Sequence, residues 1–366
     1  MKLLCDKSKL LEAISIAQKA ITGKSTMPIL EGLYINAAND NITLIGSDID
    51  LSIETKTKAK VMEPGKIVVD SRLLGEIIRK LPNDEILIET LEGSILQIIC
   101  QKSVFNLLYM NAEDYPSIPE IHADTNLSIS QALLKNMIKG TIFATAQDET
   151  RPILQGVLFE IRDKSLNLVA LDGYRLAIRS EYVDSENSIN VVIPGKTLNE
   201  VSKIMDEKEE EVLITYTSNH ILFNLGETKI ISRLLEGEFI KYSSLLPQDY
   251  KLLVTVNKQE ILNGIERASL MAKDGNSNLI KLDIEEDNVV ISSNSQLGKV
   301  REEVSADMQG EGIQIAFNSK YLLDVMKIME DNEILMELST SVTPCVIKNK
   351  NIDNCKYLVL PVRLVK

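Results

Sequence analysis

The sequence predicts an α+β chain of three structurally similar domains, each with two helices and antiparallel sheets. Three observations carry that prediction. A helical pattern recurs at a spacing of 124 residues, as DSRLLGEIIRKL (70–81), PGKTLNEVSKIM (194–205) and NSKYLLDVMKIM (318–329). Blocks that alternate apolar and polar residues around an Asn/Asp-rich turn recur at 33–54, 157–181 and 280–304. Another helical stretch precedes each block, at 9–21, 132–144 and 260–272. A fixed period of this kind marks repeated structural units.

Each unit therefore reads helix, strands, helix, strands. The alternating blocks predict hairpins, because a period of two suits a sheet with one buried face and Asn/Asp suits the turns. In the second helix of the first unit, Leu74, Ile77, Ile78 and Leu81 fall at i, i+3, i+4 and i+7 and form one face. The same slots hold Leu198, Val201, Ser202 and Met205, then Leu322, Val325, Met326 and Met329. Opposite that face stand Arg72 and Arg79, Lys196 and Lys203, Lys320 and Lys327. The outer face also carries Glu76, Glu200 and Asp324, each placed to pair with the base three residues later. Strand patterning returns at Glu85, Glu211 and Glu333. Turn-rich stretches at 114–126 and 244–251 predict domains 1–122, 123–248 and 249–366, each of ordinary single-domain size.

Composition is that of a globular chain, with 44% apolar and 25% charged residues. No apolar run approaches a membrane span, and MKLLCDKSKLLEAIS lacks a signal-peptide core, so a cytoplasmic protein is expected. Cys5, Cys100, Cys345 and Cys355 show no metal or redox spacing and read as reduced thiols. His122 and His220 have no matching nucleophile or acid, and no phosphate loop, nucleophile elbow or zinc motif occurs. Asp48 and Asp172 share a repeat position, where hairpin closure is the expected role. No catalytic site, metal or cofactor is expected.

Net charge is −13, which taken alone argues against nucleic acid. The charge is segregated, however. The six helical stretches, taken generously, hold sixteen Lys or Arg against six Asp or Glu, so the remainder of the chain carries −23. Basic helices on one side and acidic sheets on the other would attract a polyanion to one surface only. Curving repeats can line a concave surface with one element from each unit. The expectation is helices lining a ring interior, closed by two chains head to tail through strand edges at the chain ends.

Five stretches in order, STMPILEGL (25–33), ALDGYRLAIRS (170–180), SRLLEGEFIKYSSLLP (232–247), FNSKYLLDVM (317–326) and YLVLPVRL (357–364), resemble the bacterial DNA sliding clamp, the beta subunit of DNA polymerase III. The resemblance runs along the whole chain. It implies a clamp fold and a ring-shaped homodimer that encircles double-stranded DNA without reading sequence, as a processivity factor with no catalysis of its own. Matching positions imply DNA-facing Lys24, Arg72, Arg151 and Lys196, with the further helix bases Arg79 and Lys203 in support. Departures at Gln147, Asp148, Pro152 and Ile153 leave individual DNA contacts less defined than the tunnel.

The resemblance also implies an apolar pocket that captures short peptides from the replicative polymerase, the clamp loader and other proteins carrying a clamp-binding motif. Its residues would be Leu154, Leu171, Gly173, Tyr174, Arg175, Leu176, Ile240, Leu245, Asn318, Tyr321 and Val342, with Leu358, Val359, Leu360, Pro361, Val362, Arg363 and Leu364 from the tail. Ile240, Lys241 and Ser244 depart from the family pattern, and the chain runs past its usual end with Val365 and Lys366, so peptide preference is expected to differ. Phe105 and Leu107 match one side of the family's dimer interface, Leu270 and Met271 the other. Two other classes are a repeat scaffold that binds proteins and no DNA, and a hydrolase or transferase with an unrecognised site. The first would lack the repeated helix bases, and the second would need converging His, Cys or carboxylates.

Overall fold

The computed structural model describes residues 1–23, 25–121, 126–148, 150–185, 188–206, 210–272, 278–296 and 298–363. The first repeat runs β1 (Lys2–Asp6), α1 (Lys7–Ala17), β2 (Gly32–Ala38), β3 (Asn41–Ser47), β4 (Leu51–Lys58), β5 (Lys60–Glu63), β6 (Gly65–Asp70), α2 (Ser71–Lys80), β7 (Glu85–Leu91), β8 (Ile95–Cys100) and β9 (Ser103–Met110). The second runs β10 (Asn126–Ser130), α3 (Gln131–Lys139), β11 (Gly156–Arg162), β12 (Ser165–Leu171), β13 (Arg175–Tyr182), β14 (Ile189–Pro194), α4 (Gly195–Ile204), β15 (Glu211–Tyr216), β16 (His220–Asn224) and β17 (Thr228–Arg233). The third runs β18 (Leu252–Asn257), α5 (Lys258–Ala272), β19 (Leu279–Glu285), β20 (Asn288–Asn294), β21 (Lys299–Gly310), β22 (Ile313–Asn318), α6 (Ser319–Ile328), β23 (Glu333–Leu338), β24 (Cys345–Asn349) and β25 (Cys355–Val359).

The helices start where polar caps meet the first free N–H groups. Asp6 accepts from the Lys9 N–H at 3.0 Å, Asp70 from Leu73 at 2.6 Å and Asn318 from Lys320 at 3.0 Å. The repeat extends to single hydrogen bonds. Lys7, Gln131 and Lys258, which open the first helix of each repeat, donate their backbone N–H groups to Asp84, Glu210 and Asn332 at 3.2, 2.8 and 2.8 Å. Eleven of the twelve inward slots of α2, α4 and α6 and their ends are buried apolar side chains, and the twelfth is buried Ser202. All six opposite bases are exposed. The helix boundaries observed enclose thirteen bases and six acids, so the basic excess survives in elements shorter than the sequence pattern implied.

Packing divides the chain into two compact bodies, where the sequence pattern shows three repeats. The first comprises Met1–Lys135 and Lys196–Leu234, and the second Asn136–Gly195 and Leu235–Lys366. Strand pairing across repeats is the reason. In the first body β17 runs antiparallel to β4, with Ile230 opposite Ile53 and Ile231 opposite Ser52. In the second, β25 runs antiparallel to β13, with Leu358 opposite Leu176 and Val359 opposite Arg175. The middle repeat thus gives its last sheet to one body and its first sheet to the other. All four cysteines are free and buried, and burial pushes the Cys5 thiol up to about 12, which suits packing better than reactivity.

Candidate functional site

In the second body, the hairpin between β12 and β13 turns through Asp172–Tyr174. Asp172 closes it as expected, its Oδ1 accepting from the backbone N–H groups of Tyr174 at 2.9 Å and Arg175 at 3.0 Å. Gly173 sits at φ +91°, a conformation open to glycine at little cost. Behind the turn, Leu154, Leu171, Leu176 and Leu358 are buried in one apolar cluster, and Ile240 packs against it. Val359 is fully buried beside them. Tyr174, Leu245, Val342, Leu360, Val362 and Arg363 are exposed, and Pro361 is half-buried. The tail is fixed by the Leu360 N–H, which donates to the Tyr174 carbonyl at 2.9 Å, and by Val362, which donates to Ala316 at 2.8 Å. A cleft of about 500 Å³ adjoins it, lined by Leu245, Leu246, Tyr250, Pro344 and Val346 among others. Leu364 lies outside the described residues. Asn318 is half-buried and caps α6.

Arg175 is 8% exposed and fully engaged. Its Nε donates to Asp172 Oδ2 at 3.0 Å, Nη1 to Asp324 Oδ2 at 2.5 Å and Nη2 to the Phe143 carbonyl at 2.6 Å. The guanidinium also lies 4.7 Å from the Tyr321 ring centroid and 5.2 Å from that of Phe143. Tyr174, 61% exposed, stacks on Tyr321 with centroids 6.0 Å apart and planes at 21°. Burial, joined by the charge of Asp172, raises the pKa of the Tyr321 hydroxyl.

The predicted basic positions within the described residues are on the surface, but several are paired. Arg72 meets Glu76 at 3.1 Å, Lys203 meets Glu200 at 2.7 Å and Lys196 meets Asp48 at 2.5 Å. The expected pairing of acid with the base three residues on occurs only at Glu200–Lys203. Glu76 turns back to Arg72, leaving Arg79 without an ion pair among the described residues, and Asp324 is taken by Arg175 while Lys327 reaches Glu266 at 3.6 Å. Arg151 is exposed beside Asp148, whose carboxyl is held low first by the Thr150 hydroxyl. Lys24 lies outside the described residues.

β9 and β21 each have an edge left open over part of its length. Ser103–Leu108 of β9 pair with β8, and pairing to β6 begins only at Tyr109. Leu108 is 78% exposed, Phe105 is exposed, and Leu107 packs half-buried against the first body's core. In the second body, Lys299–Ser305 of β21 pair with β20, and pairing to β18 begins at Ala306. Leu270 is exposed and Met271 half-buried at the end of α5.

Models of the DNA polymerase III beta subunit match the chain three times: the N-terminal domain at 1–119, the central domain at 128–241 and the C-terminal domain at 243–363. A beta sliding clamp of Bacillus subtilis is 39% identical over 99% of this chain and 100% of its own length. The chain belongs to this family. Another member, from Staphylococcus aureus, is 38% identical over 94% of both chains. The crystal structure of the Bacillus subtilis sliding clamp superposes over 100% of both chains at a TM-score of 0.97 and 38% identity. That of the Pseudomonas aeruginosa clamp bound to griselimycin does so at 0.95 and 29%.

As a family member the chain is a beta sliding clamp, a non-catalytic accessory subunit of DNA polymerase III with a three-domain α+β fold. Among the described residues no helix is long and apolar enough to cross a membrane, and no three His, Cys, Asp or Glu are grouped to hold a metal. Sequence reasoning missed Phe143, Asp324 and Arg179. Arg179 is 1% exposed, its Nη2 2.9 Å from Glu330 Oε1, and a Cβ on Gly140 would stand 2.8 Å from its side chain. Burial works against its charge, and the Glu330 carboxylate sustains it. The period signalled Asp324 as a helix-surface acid, and its partner, 149 residues away, left no local trace.

Proposed function

We propose that two copies of this chain close head to tail into a ring around duplex DNA, with β9 of one copy lying antiparallel to β21 of the other. The carrying observation is the bookkeeping of strands. β17 and β25 are the last strands of their repeats, and each pairs with the third strand of the preceding repeat's hairpin block, β4 or β13. Under the same rule β9, the last strand of the first repeat, and β21, the third strand of the last hairpin block, have no cross-repeat partner among the described residues, and the β9 edge carries Phe105, Leu107 and Leu108. Leu270 and Met271 would support the β21 side.

Lys24, Arg72, Arg79, Arg151, Lys196 and Lys203 face the DNA in this reading. Lys and Arg contacts to phosphate carry no sequence information and permit sliding. The acids paired with Arg72, Lys196 and Lys203 weaken each contact, which suits a topological link. The apolar floor around Leu171, Leu176 and Leu358, rimmed by Tyr174, Leu245 and Leu360, would take short peptides of the replicative polymerase, the clamp loader and other partners. The domains are 1–122, 123–248 and 249–366, and the compartment is the cytoplasm. Negative-stain electron microscopy of the purified protein tests the assembly. Closed rings of six lobes around an open hole are expected, and compact particles without a hole would overturn the reading.

A further inference from the structure

We infer that Asp324 and Phe143 are positioning residues for the peptide pocket, acting through Arg175 on the stacked face of Tyr321 and Tyr174. The inference rests on the pocket reading above and deepens it. Arg175 falls at a position the family resemblance gives to the pocket, yet its Nε, Nη1 and Nη2 are all committed, to Asp172, Asp324 and the Phe143 carbonyl. A guanidinium so engaged and buried has little left to offer a ligand. What it can do is hold rings. It lies between Phe143 and Tyr321, and Tyr321 in turn carries exposed Tyr174.

The chain of contacts runs from the interior outward: Phe143, Arg175, Tyr321, Tyr174. Asp324 and Tyr321 share one turn of α6, so the ion pair to Arg175 also fixes the rotation of the helix that presents Tyr321. Desolvated cation–π contacts are strong enough to set a ring plane. Removing the acid or the ring therefore frees the tyrosine pair without touching the apolar floor of Leu171, Leu176 and Leu358.

The test uses the full chain with griselimycin, which the Pseudomonas aeruginosa relative binds, as the probe. Asp324→Asn, Phe143→Leu and Arg175→Lys should each weaken binding about tenfold. The chain has no Trp and ten Tyr, so near-ultraviolet circular dichroism should register the loss of the Tyr174–Tyr321 stack in all three. Glu330→Gln, which disturbs the separate Arg179 pair, should lower thermal stability and leave griselimycin affinity and that spectrum unchanged. If wild type binds no griselimycin but Tyr174→Ala still lacks the tyrosine band, the pocket reading fails while the ring stack stands. If wild type binds and Asp324→Asn binds equally well with an unaltered spectrum, the positioning role is overturned.

Discussion

Two hairpins in this chain have the same backbone and opposite chemistry. In the first body Ser47 faces Ser52 at the end of the β3–β4 pair, and in the second Leu171 faces Leu176 at the end of β12–β13, each 124 residues on. Both hairpins are closed by an aspartate, Asp48 to the Leu51 N–H at 2.8 Å and Asp172 to Arg175. Both then receive a strand from the next repeat. At the first junction the inward groups are hydroxyls in pairs: Ser47 with Ser52 at 2.8 Å, Thr55 with Thr228 at 2.8 Å and Thr197 with Ser232 at 2.7 Å. Lys196 closes over Asp48. The second junction offers leucines instead, and the aspartate is held from below by Arg175, leaving apolar surface under a rim. A pocket is thus a matter of side chains on a shared scaffold, and a satisfied polar junction has no reason to open.

The largest test of that contrast imports one junction's residues into the other. Leu171→Ser with Leu176→Ser removes two buried side chains and should cost the second body about 5 kcal/mol or more, with griselimycin binding lost. Denaturant unfolding followed by tyrosine fluorescence, beside a binding titration, reads both. A double variant within about 1 kcal/mol of wild type that still binds would mean the leucines are not the floor.

A third junction of the same type is the one proposed between copies. Leu108→Asp puts a charge on the exposed β9 edge and should weaken dimerisation at least about thirtyfold, since an apolar anchor in an interface commonly carries about 2 kcal/mol or more. Sedimentation equilibrium would show the mass falling from twice 40.9 kDa towards one chain. An unchanged dimer would place the interface elsewhere.

The tip of each hairpin sharpens the comparison at smaller scale. Gly173 adopts φ +91°, and Ile49, at the equivalent position, adopts φ +82°. A β-branched residue there is strained by about 1–3 kcal/mol, and Ile49 is exposed, so little burial offsets it. Ile49→Gly should therefore stabilise the first body by about 1 kcal/mol, and Gly173→Ile should destabilise the second by a similar or larger amount. Opposite signs in thermal denaturation are the expected result, and loss of stability in both would refute the strain.

Much of this was legible in the sequence. The twelve inward slots and six outward bases of the second helices follow from a 3.6-residue period alone, because a helix face is a local property. The hairpin roles of Asp48 and Asp172 were legible for the same reason. The division into two bodies was not, since it depends on β17 meeting β4 and β25 meeting β13 across more than 170 residues. The partners of Asp324 and Arg179 were hidden likewise, and the residues proposed for the pocket came from family resemblance rather than from pattern. Pairing of Glu76 with Arg72 instead of Arg79 shows how a helix surface offers two neighbouring choices, i−4 and i+3, that sequence does not rank.

The smallest effect bears on why the first junction stays shut. Ser47 Oγ also accepts from the Ile49 N–H at 3.1 Å, so Ser52→Ala breaks only the hydroxyl pair and should cost about 1 kcal/mol, and Ser47→Ala, which also frees that N–H, about 1–2 kcal/mol. The double variant removes both hydroxyls and still frees the Ile49 N–H, so its cost should be close to that of Ser47→Ala alone. A coupling energy of about 1 kcal/mol in this cycle would mean that the polar pair closes the junction by mutual satisfaction. Strict additivity would mean that the two hydroxyls do not close the junction through each other, and Lys196→Met, which opens a bridge at the exposed rim, should cost at most about 1 kcal/mol.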